Sequence, residues 1–91
     1  MFRKAELLTN DLRKGEVYIK SLFQNNNFNI SKLTLKPGSE ILQHTHTYDN
    51  EVYFIYEKGI DVRIEVCKKG ESHYLKNYGN NDMTVFAVKC K

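Results

Sequence analysis

The 91-residue chain has no apolar run long enough to span a bilayer, only two cysteines, and no cluster of charge of one sign. The first absence excludes a transmembrane helix, which needs roughly 20 consecutive apolar residues. The N-terminal stretch MFRKAELLTNDLRKG is charged throughout and lacks an apolar signal-peptide core, so a cytoplasmic protein is expected. Cys67 and Cys90 make no C-x-x-C pair. In a reducing compartment they are expected to stay thiols, behaving as small apolar side chains rather than as half of a Cys/His zinc site. The net charge is only +3, with lysine and arginine spread among acidic neighbours. That lacks the one-sided basic footprint of a nucleic-acid binder, and neither a nucleic acid nor a membrane is expected as a partner.

What the chain has instead is alternation. Phe2 to Leu8 does not decide between a short helix and a strand, but from Gly15 a period of two recurs between turn-forming clusters. Glu16 to Phe23 places Val17, Ile19 and Phe23 opposite Tyr18 and Lys20, which predicts a strand with one buried face. After the polar turn Gln24 to Asn27, Phe28 to Lys36 returns with Leu33 and Leu35 on one face, forming a hairpin. Asp61 to Cys67 sets Val62, Ile64 and Val66 against Arg63, Glu65 and Cys67. Lys68 to Gly70 turns, and His73 then shares a face with Leu75. Asn77 to Asp82 turns again before a last strand, Met83 to Cys90, with Val85 and Ala87 opposite Phe86 and Val88. Short strands at regular spacing predict a single all-β domain over residues 1–91, an antiparallel sandwich or barrel with little or no helix.

Chemistry concentrates between Pro37 and Gly59. Pro37 and Gly38 form a turn, and on the strand that follows His44 and His46 point the same way. Thr47, Tyr48, Asp49 and Asn50 suffice for a tight connection, so a hairpin between Ser39–Thr47 and Glu51–Lys58 would bring Glu51 beside both imidazoles. Glu51 shares its face with Tyr53 and Ile55, while Val52, Phe54 and Tyr56 take the other. A lone carboxylate on an apolar face is costly unless paired or metal-bound. Two imidazoles and a carboxylate suit a divalent Fe, Mn, Ni, Cu or Zn ion, and His73, the one histidine remaining, is the candidate fourth ligand. Tyr53 and Tyr18 are candidates for the pocket wall.

Gly38, then five residues, His44-x-His46, four residues and Glu51 resemble the first motif of the cupins, and Gly70, His73 and Asn77 match the spacing of the second, G-x-x-H-x-x-x-N. The resemblance covers Leu33 to Lys89. It implies a small jelly-roll type β-barrel whose His44, His46, Glu51 and His73 hold a divalent metal. It also implies a small-molecule ligand, with dioxygen-dependent oxidation or isomerisation through a metal-held enediol among the reaction types. A non-catalytic cupin is the alternative: a small-ligand or protein-interaction module working through its pocket or through the face of Val52, Phe54 and Tyr56. Apolar residues on both faces of the Glu51 strand predict a homodimer.

The chain departs from the cupin pattern in three places. Lys58 stands where a glycine closes motif one, with Gly59 a place late, which predicts a bulge near that strand's end. Lys68 replaces a proline before motif two. Thirteen residues separate Gly59 from His73, about one hairpin fewer than such barrels carry. Either a hairpin is missing or His73 lies on an earlier strand; the alternating tail after Asn77-x-Gly79 favours the first.

Overall fold

In the computed structural model, which describes residues 12–45, 49–57 and 60–90, the alternating segments are strands and no described residue lies in an α-helix. The strands are β1 (Arg13–Lys14), β2 (Val17–Gln24), β3 (Phe28–Leu35), β4 (Glu40–Thr45), β5 (Asn50–Glu57), β6 (Ile60–Cys67), β7 (Ser72–Lys76) and β8 (Met83–Cys90). They form two antiparallel sheets, β1-β4-β7 and β2-β3-β8-β5-β6. This is the all-β architecture expected from the alternation. The question left open for Phe2 to Leu8 lies outside the described residues. Among those described, no helix is long and apolar enough to cross a membrane.

The inner face of the larger sheet is divided in two. At one end Leu33, Leu35, Ile55, Met83 and Val85 form a core with Ile41 and Leu75 of the smaller sheet. At the other end one register row runs Asn29, Lys89, Glu51, Cys67 across four strands, and all four residues are buried. The next row is Ser31, Ala87, Tyr53, Glu65. The apolar end supplies the burial that stabilises the fold, about 25 cal/mol per Å² of apolar surface removed from water. The polar end is where the site lies.

Three expectations need correction. First, β4 and β5 are not a hairpin. β4 pairs with β1 and β7, and β5 with β8 and β6, so the chain crosses from one sheet to the other between them. Alternation assigns faces but not partners, and two strands whose inner faces meet across a core satisfy it as well as two side by side.

Second, β2 does not have a buried face; Val17 is its one buried residue, and Ile19 and Phe23 are exposed by 37% and 48%. β2 is an edge strand, and its register with β3 shifts between Ser21 and Phe23. The bulge turns Phe23 to the outer face opposite Ile30, where its ring stacks on Phe28 at 5.3 Å.

Third, the bulge expected near the end of β5 is on its partner. Ile55 pairs with Arg63 and Tyr56 with Asp61, so Val62 is the extra residue. Lys58 and Gly59 lie outside the described residues.

Turns carry the register. Pro37-Gly38 makes a tight turn with Gly38 at φ 81°, closed by the Ser39 N–H donating to Lys36 O at 2.9 Å. The proline missing before His73 is replaced by hydrogen bonds: Glu71 N–H donates to Lys68 O (3.0 Å), and Lys68 N–H donates to the Glu71 carboxylate (2.7 Å). The buried Asn77 donates to Leu35 O (2.9 Å) and Asn81 O (2.7 Å) and accepts from Gly79 N–H (2.9 Å), tying β7 to the larger sheet. The connection to His73 is a single strand, β6, and the Lys68 to Glu71 turn. That corresponds to the missing-hairpin alternative.

Candidate metal centre

β4 and β7 are hydrogen-bonded neighbours in which His44 stands opposite His73. Ile41 pairs with Leu75 two residues further along β7, so β4 carries one extra residue between Ile41 and His44. The bulge leaves both Ile41 and His44 facing inward, and the two imidazole rings lie 4.1 Å apart, tilted by 44°. His44 Nδ1 is 2.8 Å from Leu42 O. A carbonyl can only accept, so Nδ1 carries the proton and Nε2 presents a lone pair to the interior.

Glu51 reaches the same point from the opposite sheet. Its Oε1 accepts a hydrogen bond from the Tyr53 hydroxyl at 2.7 Å and lies 3.7 Å from His73 Nε2, beyond hydrogen-bond range. The Tyr53 ring stacks on His73 at 5.3 Å. One ligand atom from each of His44, Glu51 and His73 lies within 4.8 Å of the others. Donors on opposite sides of an ion with ~2.2 Å bonds stand roughly 4.4 Å apart, so this set fits a divalent ion with little movement. Its imidazole and carboxylate chemistry suits a transition metal. Geometrically His73 joins His44 and Glu51 across the shortened connection. His46 lies outside the described residues.

Tyr53 lines the cavity beside this cluster. Tyr18 does not: it pairs with Thr34 on the outer face, is 55% exposed, and donates to Glu16 Oε2 at 2.9 Å. Alternation from the inward Val17 already puts residue 18 outside. Burial, reinforced by the Glu51 charge, pushes the Tyr53 phenol far above its ordinary value. It is a neutral donor to the carboxylate, not a base. Burial also pushes the Cys67 thiol up, with Glu71 and Glu51 adding to it. Among the described residues neither cysteine belongs to the histidine and carboxylate cluster.

Two residues at the site were not picked out in the sequence. Lys89 and Asn29 are each 1% exposed and line the cavity with His44, Glu51 and Tyr53. The signal was present: the parity that turns Val85 and Ala87 inward continues to Lys89, and that of Leu35 and Leu33 runs back through Ser31 to Asn29.

No protein-family model matches the chain. A Thermotoga maritima protein named oxalate-binding protein is 34% identical over 92 residues, covering 82% of this chain and 76% of that one. The crystal structure of a predicted oxalate decarboxylase from Thermotoga maritima superposes with a TM-score of 0.75 at 29% identity, covering 86% of this chain and 83% of that one. A Cupin 2 conserved barrel domain protein from Salinispora arenicola shares the fold at a TM-score of 0.67 and 15% identity, over 100% of this chain and 87% of that one.

Proposed function

The chain belongs to the cupin superfamily, and on that premise we propose that it holds a divalent transition-metal ion through His44, His46, Glu51 and His73 and uses it to bind a small carboxylic acid. The observation that carries the metal reading is the convergence of two imidazoles and a carboxylate from β4, β5 and β7 on one interior point. The ligand class is supported by the oxalate-binding protein, whose likeness extends over most of both chains.

A bound ion would supply an electrophilic centre for a ligand oxygen. The chain's own residues prepare the place. Leu42 O holds His44 in one tautomer, the Tyr53 hydroxyl holds one oxygen of Glu51, and the Tyr53 ring fixes the plane of His73. Locking ligand side chains through their outer partners sustains metal affinity. The small cavity beside the cluster limits the ligand to few atoms.

Calorimetric titration of oxalate into zinc-loaded and chelator-stripped protein tests the proposal. Saturable binding in the loaded form alone is expected; no binding in either form, or equal binding in both, contradicts it. A second reading, cleavage of the bound acid, is supported by the likeness to the predicted oxalate decarboxylase. Release of labelled carbon dioxide from ¹³C-oxalate by the metal-loaded protein would favour that reading.

A further inference from the structure

We infer that Lys89 is the anion-anchoring residue of this site, holding the end of the ligand that the metal does not. The inference rests on the metal-binding reading above. Lys89 sits on the inner face of β8, 1% exposed, in register with Asn29 on β3 and Glu51 on β5. A buried ammonium is costly unless negative or polar groups surround it, and the cross-strand Glu51 supplies one negative charge.

A divalent ion at Glu51 upsets that balance. The ion and Lys89 bring three positive charges, and among the described residues that line the cavity Glu51 is the one carboxylate. The Glu65 side chain, in the neighbouring row on the edge strand β6, is 42% exposed and ion-paired with Arg63 Nε at 2.6 Å, so it adds no charge to the buried site. The excess positive charge in a buried site calls for an anionic ligand.

Asn29 gives an independent indication. Its amide donates to Ser31 Oγ at 3.4 Å, lines the cavity, and has an Oδ1 without a hydrogen-bond partner among the described residues. A half-turn of the amide lets Ser31 donate to Oδ1 and points the N–H groups at a ligand oxygen. Adjacent strands are ~4.8 Å apart, so a two-ended acid of about two or three carbons can reach from the Glu51 position to Lys89.

The test titrates oxalate into zinc-loaded wild type, Lys89→Met and Lys89→Gln, with zinc content and thermal unfolding measured on each. Both variants are expected to keep zinc and to bind oxalate roughly tenfold or more weakly, the scale of one lost charge-assisted hydrogen bond. Oxalate affinity unchanged in folded, zinc-bearing Lys89→Met overturns the inference. A crystal structure of the wild type with zinc and oxalate removes any dependence on the variants' folding. An oxalate oxygen within hydrogen-bond distance of Lys89 Nζ is expected, and an oxalate with no oxygen near Lys89 overturns the inference. The two readings fail separately: a wild type that takes up no zinc overturns the metal reading itself, whereas zinc uptake with oxalate affinity indifferent to Lys89 overturns only the role of Lys89.

Discussion

His44 and His73, 29 positions apart in the chain, stand opposite each other on β4 and β7 with their rings 4.1 Å apart. A pair so placed either shares an ion or forfeits one of its two imidazoles to packing. His44→Ala and His73→Ala are each expected to lower zinc affinity by at least about tenfold, measured by competition with a chromophoric chelator. Imidazole must be neutral to coordinate and its ordinary pKa is ~6.5, so wild-type affinity should fall as pH drops below that value. Affinity unchanged down to pH ~5 contradicts histidine ligation.

Tyr53→Phe removes the hydroxyl that donates to Glu51 Oε1 while keeping the ring against His73. The expected outcome is a folded protein with zinc affinity lowered about tenfold, at the small end for the loss of an outer partner of a ligand. Calorimetric zinc titration reads this directly, and undiminished affinity would show that the Tyr53 bond does not hold Glu51 in place.

Asn77, the last residue of the second cupin motif, joins the sheets rather than the metal cluster. Its side chain makes three hydrogen bonds and is 1% exposed. Asn77→Ala leaves Leu35 O and Gly79 N–H without these partners and should lower stability by about 2 to 4 kcal/mol in denaturant unfolding. A loss under about 0.5 kcal/mol, the range of ordinary surface changes, would contradict this role.

The Tyr74 hydroxyl donates to Glu40, linking β7 to β4 on the outer side of the smaller sheet. The bond pushes Tyr74 up to about 12 and holds Glu40 below the usual carboxylate range. Tyr74 therefore contributes stability that is complete below the ordinary tyrosine value of ~10 and is lost as pH rises toward the raised one. Glu40 contributes stability above the ordinary carboxylate value, lost as pH falls through its lowered one. Between pH ~10 and ~12 the melting temperature of the wild type should fall more steeply than that of Tyr74→Phe. Parallel profiles would contradict the linkage.

Much of this site was legible because a strand's period of two is a local property. Parity put Glu51 with Tyr53 and Ile55, His73 with Leu75, and Leu33 with Leu35, and the structure keeps all three groupings. Pairing across sheets is not local, and there the sequence misled. Glu51 meets the histidines from across the core, not along a hairpin ladder, because β5 takes a central place between β8 and β6. Bulges escaped for a related reason. One inserted residue at Ser21 to Phe23 or at Ile41 to His44 changes which side chains face inward without altering composition. At Lys89 residue type speaks against what parity indicates, because a lysine on a strand is ordinarily exposed.

The outer face of the larger sheet carries an apolar patch. Val52 and Phe54 of β5 pair with Val66 and Ile64 of β6, and the latter two are 64% and 56% exposed. A second copy of the chain is the expected cover, since small domains gain stability by burying such surface between subunits. Sedimentation equilibrium should give a dimer for the wild type and a monomer for Ile64→Lys/Val66→Lys. A concentration-independent wild-type monomer would contradict it.

On the reading proposed above, buried Glu51 and the histidines around it hold a metal ion. The decisive measurement is metal content by mass spectrometry, after zinc reconstitution and gel filtration of wild type and Glu51→Ala. About one ion per wild-type chain is expected, and well under a tenth of that in the variant. A metal-free wild type, or equal metal in both proteins, would contradict it.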